Sequence, residues 1–100
     1  MFAGGSAGLA ATPAAKPATQ HVLIESMQFN PAQLTVHPGD RIVFTNKDFF
    51  PHTVTADDGK SFDSKDIAVN ASWSYRAGKQ GMYSYHCALH PTMKGAITVH

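Results

Sequence analysis

From His21 onward the chain is cut into short β-branched or aromatic runs by turn-forming residues, and this punctuation constrains the fold more than any other feature. HVLIE, QLTVH, RIVFTN, HTVTA, ASWSYRA, GMYSYHC and GAITVH are divided by NPA, HPGD, NKDFFP, DDGK, GKQG and HPTMKG. Val, Ile, Thr and aromatic side chains suit a pleated, half-buried strand, whereas Gly, Pro, Asn and Asp supply the backbone angles and side-chain hydrogen bonds of turns. No segment carries a long helical period. Alternation places Leu34 with Val36, Ile42 with Phe44, Trp73 with Tyr75 and Ile97 with Val99 on buried faces. The expected fold is all-β, a sandwich of about seven to eight strands in two antiparallel sheets packed face to face.

Residues 1–20, MFAGGSAGLAATPAAKPATQ, are small residues with Pro breaks and no amphipathic period. They read as a flexible Ala/Pro-rich tail, a linker or the remnant of an export signal, leaving residues 21–100 as one domain. A chain of this length buries roughly 65% of its unfolded surface, so it needs neither disulfide nor metal merely to fold. A metal, if bound, serves function. Eight Lys and Arg stand against seven Asp and Glu, with a pI near 8.0. That overall balance gives no basic footprint for nucleic acid or an anionic membrane, and no apolar run is long enough to span a bilayer. The stretch DDGKSFDSKD carries four Asp but lacks the alternate-position spacing of a calcium loop, and it reads as a solvated surface loop.

The chemistry is concentrated in YHCALHPTMKG, which spaces Cys87, His90 and Met93 at three-residue intervals. Cys87 is the sole cysteine, so it forms no internal disulfide. Period two turns Tyr83, Tyr85 and Cys87 inward and Met82, Ser84 and His86 outward. Pro91 opposes continuation of the strand, so Ala88–Met93 is expected to turn and aim His90 and Met93 back at the sulfur. Gly95 then admits the chain to the last strand. A further nitrogen is available from His52, which opens HTVTA after the apolar, Pro-containing loop NKDFFP. A thiolate, two imidazoles and a thioether form the donor set of a mononuclear blue-copper site. Zinc prefers four strong ligands, and covalent haem attachment requires a Cys-x-x-Cys-His run that is missing. As a nucleophile, Cys87 would want an exposed electropositive setting and a substrate cleft. His21, His37, His86 and His100 lack such company and read as surface residues; Trp73 reads as core.

FTNKDFFPHTV together with YSYHCALHPTMKGAITVH resembles the small cupredoxins over His21–His100, about four fifths of the chain. The likeness is strongest to amicyanins, whose short ligand loop has this Cys-x-x-His-x-x-Met spacing, and more distant to plastocyanins. The resemblance implies a Greek-key sandwich and a copper electron carrier, periplasmic or extracellular, that is not an enzyme. It gives the copper ligands as His52, Cys87, His90 and Met93. It also implies that the Asn46 amide ties the His52 loop to the Cys87 loop. The Thr53 amide can donate to the Cys87 thiolate, whereas Pro91 has no N–H to give. The connection from Ala56 to Ala71 is shorter and more acidic than in amicyanins. The partners expected are redox proteins that dock on an apolar patch of Phe49, Phe50, Pro51, Ala88, Leu89, Pro91 and Met93 around His90, with Lys47 and Lys94 on its rim. The chain is expected to act as a monomer. The competing reading is a periplasmic copper storage or delivery protein, but Met1, Met27, Met82 and Met93 are too scattered for the open Met-rich surface that delivery favours.

Overall fold

All seven predicted runs contribute strands to the computed structural model, which describes residues 16–100, and an eighth strand lies where none was predicted. In chain order the strands are β1 (Thr19–Glu25), β2 (Gln28–Asn30), β3 (Gln33–Val36), β4 (Arg41–Asn46), β5 (Thr55–Ala56), β6 (Ser72–Arg76), β7 (Gly81–Cys87) and β8 (His90–Val99). The greater part of the tail reading falls on residues 1–15, outside the described residues. Thr19 and Gln20 open β1, paired with Arg41 and Ile42.

Two four-stranded sheets result, in the orders β2-β1-β4-β6 and β3-β8-β7-β5. Both are mixed rather than wholly antiparallel, because β1 runs parallel to β4 and β3 parallel to β8. The cause is the path of the chain. After the β1–β2 hairpin it crosses to the other sheet for β3 and returns for β4, so β1 and β4 become neighbours without being hairpin partners.

The unpredicted strand, β2, follows a turn at Ser26 and Met27, both in the left-handed region (φ 53° and 58°). Two such residues in succession form the tight hairpin turn whose usual signal is Asn-Gly. Ser-Met lacks that signal. The turn is held from outside, since the Met27 N–H donates to Asp48 Oδ2 at 2.9 Å.

Between the sheets, Val22, Ile24, Ile42 and Phe44 meet Val36, Tyr85, Cys87, Ile97 and Val99, all buried. Leu34, Trp73 and Tyr75 pack at the margin of this core. Tyr85 is its hub, with ring centroids 4.8 Å from Phe29, 5.6 Å from Phe44 and 6.2 Å from Phe62. Burial of each such ring contributes about 1.5–3 kcal/mol, and the same desolvation pushes the Tyr85 phenol pKa up. The predicted surface loop is solvated at its charged residues, but Phe62 and, just past the loop, Ile67 are buried and nail the connection to the core. Within it, the Ser61 hydroxyl and amide and the Lys60 amide hold the Asp58 carboxyl at about 2.

At the far end of the sandwich, buried Asp40 accepts the His37 and Ala18 N–H groups at 2.9 Å each, which keeps its carboxyl below the ordinary value. This joins the entry to β1 with the turn between β3 and β4.

Gly95 faces Tyr85 across the β7–β8 ladder. A Cβ built there would lie 2.8 Å from Tyr85 Cε1 and closer still to Cζ and the hydroxyl oxygen. Gly95→Ala must therefore displace the ring at the centre of the core, with an expected loss of about 1–3 kcal/mol. Denaturant unfolding checks this, and an unchanged midpoint would show that the ring relaxes without cost.

Candidate metal centre

The end of β7 and the start of β8 form a tight hairpin, and this hairpin supplies two of the site residues. Cys87 pairs with His90 across a two-residue turn at Ala88 and Leu89, after which the ladder resumes at Lys94 opposite His86. Pro91, Thr92 and Met93 lie in the irregularity between. The expected turn through Met93 is thus shorter than predicted, and the strand restarts at His90. Pro91 is tolerated within β8 because the broken ladder asks no N–H of it.

His52 comes from the segment before β5. It does not open a continuous strand; it forms an isolated antiparallel bridge with Ile67, whose N–H donates to the His52 carbonyl at 2.7 Å. This brings its imidazole to the hairpin. Cys87 Sγ lies 3.6 Å from His52 Nδ1 and 3.7 Å from His90 Nδ1, and the three donor atoms all fall within 4.8 Å of one another. His52 and Cys87 are fully buried, while His90 is half-buried beside Phe50, their ring centroids 6.4 Å apart. Met93 is also buried, so it does not belong to the exposed apolar patch in which it was expected. The other expected members, Phe49, Phe50, Pro51, Ala88, Leu89 and Pro91, are exposed, Phe49 to 87%.

A buried imidazole needs a partner for its second nitrogen, and sequence reasoning missed it. His52 Nε2–H donates to Asp48 Oδ2 at 2.9 Å. Burial alone would raise the Asp48 carboxyl, but the Met27 amide, the His52 imidazole and the Phe49 amide outweigh it and hold the pKa below the ordinary 3.8. The ionised carboxylate accepts and cannot donate, so it fixes the proton on Nε2 and leaves the Nδ1 lone pair directed at the shared space. A carboxylate backing a ligand histidine in this way is a common support for a metal ligand. An Asp four residues before a His in an irregular loop has no periodic signal by which to be found.

Asn46 also departs from its expected role. Its Nδ2 donates to the Phe50 and Ile67 carbonyls at 2.8 and 2.9 Å, and its Oδ1 accepts the Asp48 N–H at 2.9 Å. It organises the His52 loop and the connection beside it, not the hairpin. Thr53 makes the link to the hairpin instead: its hydroxyl accepts the Ala88 N–H at 2.7 Å, and its N–H donates to Cys87 Sγ at 3.3 Å. The amide contact was anticipated, the hydroxyl was not. His86 points outward and pairs with Asp57 at 2.6 Å.

A thiol and two imidazoles facing one another, with a buried thioether three residues beyond the second imidazole, fit a soft transition-metal ion, copper above all. The family model described as the Cupredoxin-like domain matches residues 1–99. The chain belongs to the cupredoxin family. Amicyanin-alpha of Methylorubrum extorquens is 28% identical over 95 residues, spanning 91% of this chain and 80% of that protein. Plastocyanin of Capsella bursa-pastoris is 32% identical over 88 residues, spanning 74% of this chain and 89% of the relative. Among solved structures, the Cu(I) form of an amicyanin variant superposes with a TM-score of 0.74 at 27% identity, covering 82% of each chain.

In this cupredoxin the Asp48 contact has a pH signature. Because its folded-state pKa lies below 3.8, Asp48 stabilises the fold fully above that value, and the contribution is lost as pH falls through the folded pKa. In the metal-free protein, Asp48→Asn is expected to cost about 1–3 kcal/mol near neutrality. The difference from the parent should shrink in acid. Thermal melts across this range check it; a difference that does not vary with pH would mean that the carboxylate charge is not what matters.

Proposed function

We propose that this chain is a mononuclear type 1 copper electron-transfer protein, in which His52, Cys87 and His90 would hold the metal as strong ligands and Met93 as a weaker thioether ligand. The observation that carries the reading is the convergence of one sulfur and two Nδ1 atoms within 4.8 Å, two of the three side chains being fully buried. Bound copper would supply one-electron chemistry, alternating between Cu(II) and Cu(I).

The protein's part is to keep the donors in place through that change. The Asp48 carboxylate holds the His52 tautomer and ring, Thr53 ties the hairpin to the His52 segment, and the Thr53 N–H draws electron density from the Cys87 sulfur. No substrate need be turned over, so the reading is that of a carrier and not an enzyme. A storage or delivery protein would have to surrender its metal readily, and burial of His52 and Cys87 behind fixed partners argues against that.

Electrons would enter and leave at the metal pole. Phe49, Phe50 and Leu89 are exposed there to 87%, 53% and 49%, an apolar surface beside half-buried His90 that suits brief docking of a redox protein. Lys47 and Lys94 are exposed, each one residue from a buried residue of this pole, Asp48 and Met93, and would steer an acidic partner. The resemblance to amicyanins carries with it a periplasmic or extracellular location.

Titration of the metal-free protein with Cu(II) tests the centre. One equivalent per chain is expected to bind and give an intense visible thiolate-to-copper charge-transfer band, which Cys87→Ser abolishes. A tightly bound but colourless Cu(II) form of the parent would sink the proposal.

The patch has a separate test in the copper-loaded protein. Phe49→Ser should leave the visible band unaltered while slowing electron exchange with a redox partner by roughly tenfold. Equal rates in the two proteins would remove Phe49 from the docking surface.

A further inference from the structure

The near-zero net charge conceals a segregation. β4 runs from Arg41 to Asn46 and β7 from Gly81 to Cys87, so the starts of these strands mark the pole opposite the metal centre. Half of the eight Lys and Arg residues gather at that pole, and all four are exposed. Arg41 and Arg76 are direct cross-strand partners. Lys16 lies two residues before Ala18, whose carbonyl accepts the Arg41 N–H. Lys79 sits in the turn from β6 to β7, where its carbonyl accepts the Tyr83 hydroxyl.

Like charges opposed on neighbouring strands repel, and the one contact given for these guanidinium groups is that of Arg76 Nη1 with the Gly39 carbonyl at 3.1 Å. The ion pairs among the described residues are His52–Asp48, Lys65–Asp63 and His86–Asp57, none of which involves these four cations. The side-chain carboxylate at this pole is Asp40, buried and already accepting two backbone N–H groups, and the backbone end at His100, 3.3 Å from His37 Nδ1, lies there too. The remaining acids, Glu25, Asp48, Asp57, Asp58, Asp63 and Asp66, lie toward the metal end or in the connection between β5 and β6. Exposed charged side chains at the pole farthest from the metal centre are therefore predominantly cationic.

We propose that this cationic pole docks on the anionic phospholipid headgroups of a bilayer, leaving the metal pole facing away and free for redox partners. Two observations favour a lipid surface over an acidic protein. The cations are spread over the chain entry, two strands and a turn, which matches an extended array of negative charge. The fifteen residues joined to Lys16 have no charged side chain and include Phe2 and Leu9, and apolar residues next to a basic cluster are the composition that partitions to a headgroup interface. The proposal does not depend on copper, so its failure and that of the copper reading are separable.

The test is co-sedimentation of the full 100-residue chain, copper-loaded, with vesicles of phosphatidylglycerol and phosphatidylcholine, against vesicles of phosphatidylcholine alone. Binding is expected on the anionic vesicles at low ionic strength and should weaken progressively with added NaCl. Replacing the cluster in the triple variant R41Q/R76Q/K79Q should lower the partition coefficient on the order of a hundredfold. The variant K47Q/K94Q, altered at the metal end, should stay within about twofold of the parent. The visible band and melting midpoint verify that each variant is folded, and the salt series on the parent stands without any variant. Equal binding to zwitterionic vesicles, binding indifferent to salt, or binding that survives the triple variant would overturn the proposal. Capture by polyglutamate without capture by anionic vesicles would also overturn it, in favour of an acidic polypeptide.

Discussion

The contact on which the rest of the metal pole depends is the one between Asp48 and His52. A fully buried imidazole loses water from both ring nitrogens, and each must be given something in return. Asp48 Oδ2 serves Nε2, and the carboxylate is in turn satisfied by the Met27 and Phe49 amides. Removal of any member strands another in a low-dielectric interior, which makes the group cooperative. It also crosses architectural boundaries. Met27 belongs to the β1–β2 turn, Asp48 to the loop that leaves β4, and His52 to the segment that enters β5 in the opposite sheet. One carboxylate thus fixes the relative position of both sheets at the pole where the donors meet.

The strand framework allows the two poles to differ because a sandwich transmits little between its ends except through its core. At one end the chain exposes Phe49, Phe50 and Leu89 around a half-buried histidine; at the other it exposes Arg41, Arg76 and Lys79, none of them in an ion pair among the described residues. Between them the inward-facing residues are aliphatic and aromatic, packed around Tyr85. An apolar end gives close, short-lived contact suited to electron transfer, whereas a charged end gives longer-ranged and salt-sensitive orientation. The geometry separates these two demands physically, so neither surface has to compromise with the other.

The sequence by itself determined the strand runs, the buried alternation within them and the candidate donor residues. Those features are local: a side chain's face in a strand depends on parity alone, and the Cys87–His90 spacing depends on a single hairpin. The sandwich was legible for the same reason, and the family likeness added the expected partners of Cys87. What the tertiary structure alone decided is whatever joins residues distant in sequence without a period. Strand β2 was hidden because its turn uses Ser26 and Met27 in place of Asn-Gly. The parallel pairings were hidden because they follow from the route of the chain between sheets. Asp48 and the Thr53 hydroxyl acquire their roles only when Met27, His52 and Ala88 are brought within hydrogen-bond range of them. Charge shows the contrast most plainly: composition reports a net value near zero, but Coulomb interactions depend on where charges sit, and only the folded chain sets Arg41 beside Arg76.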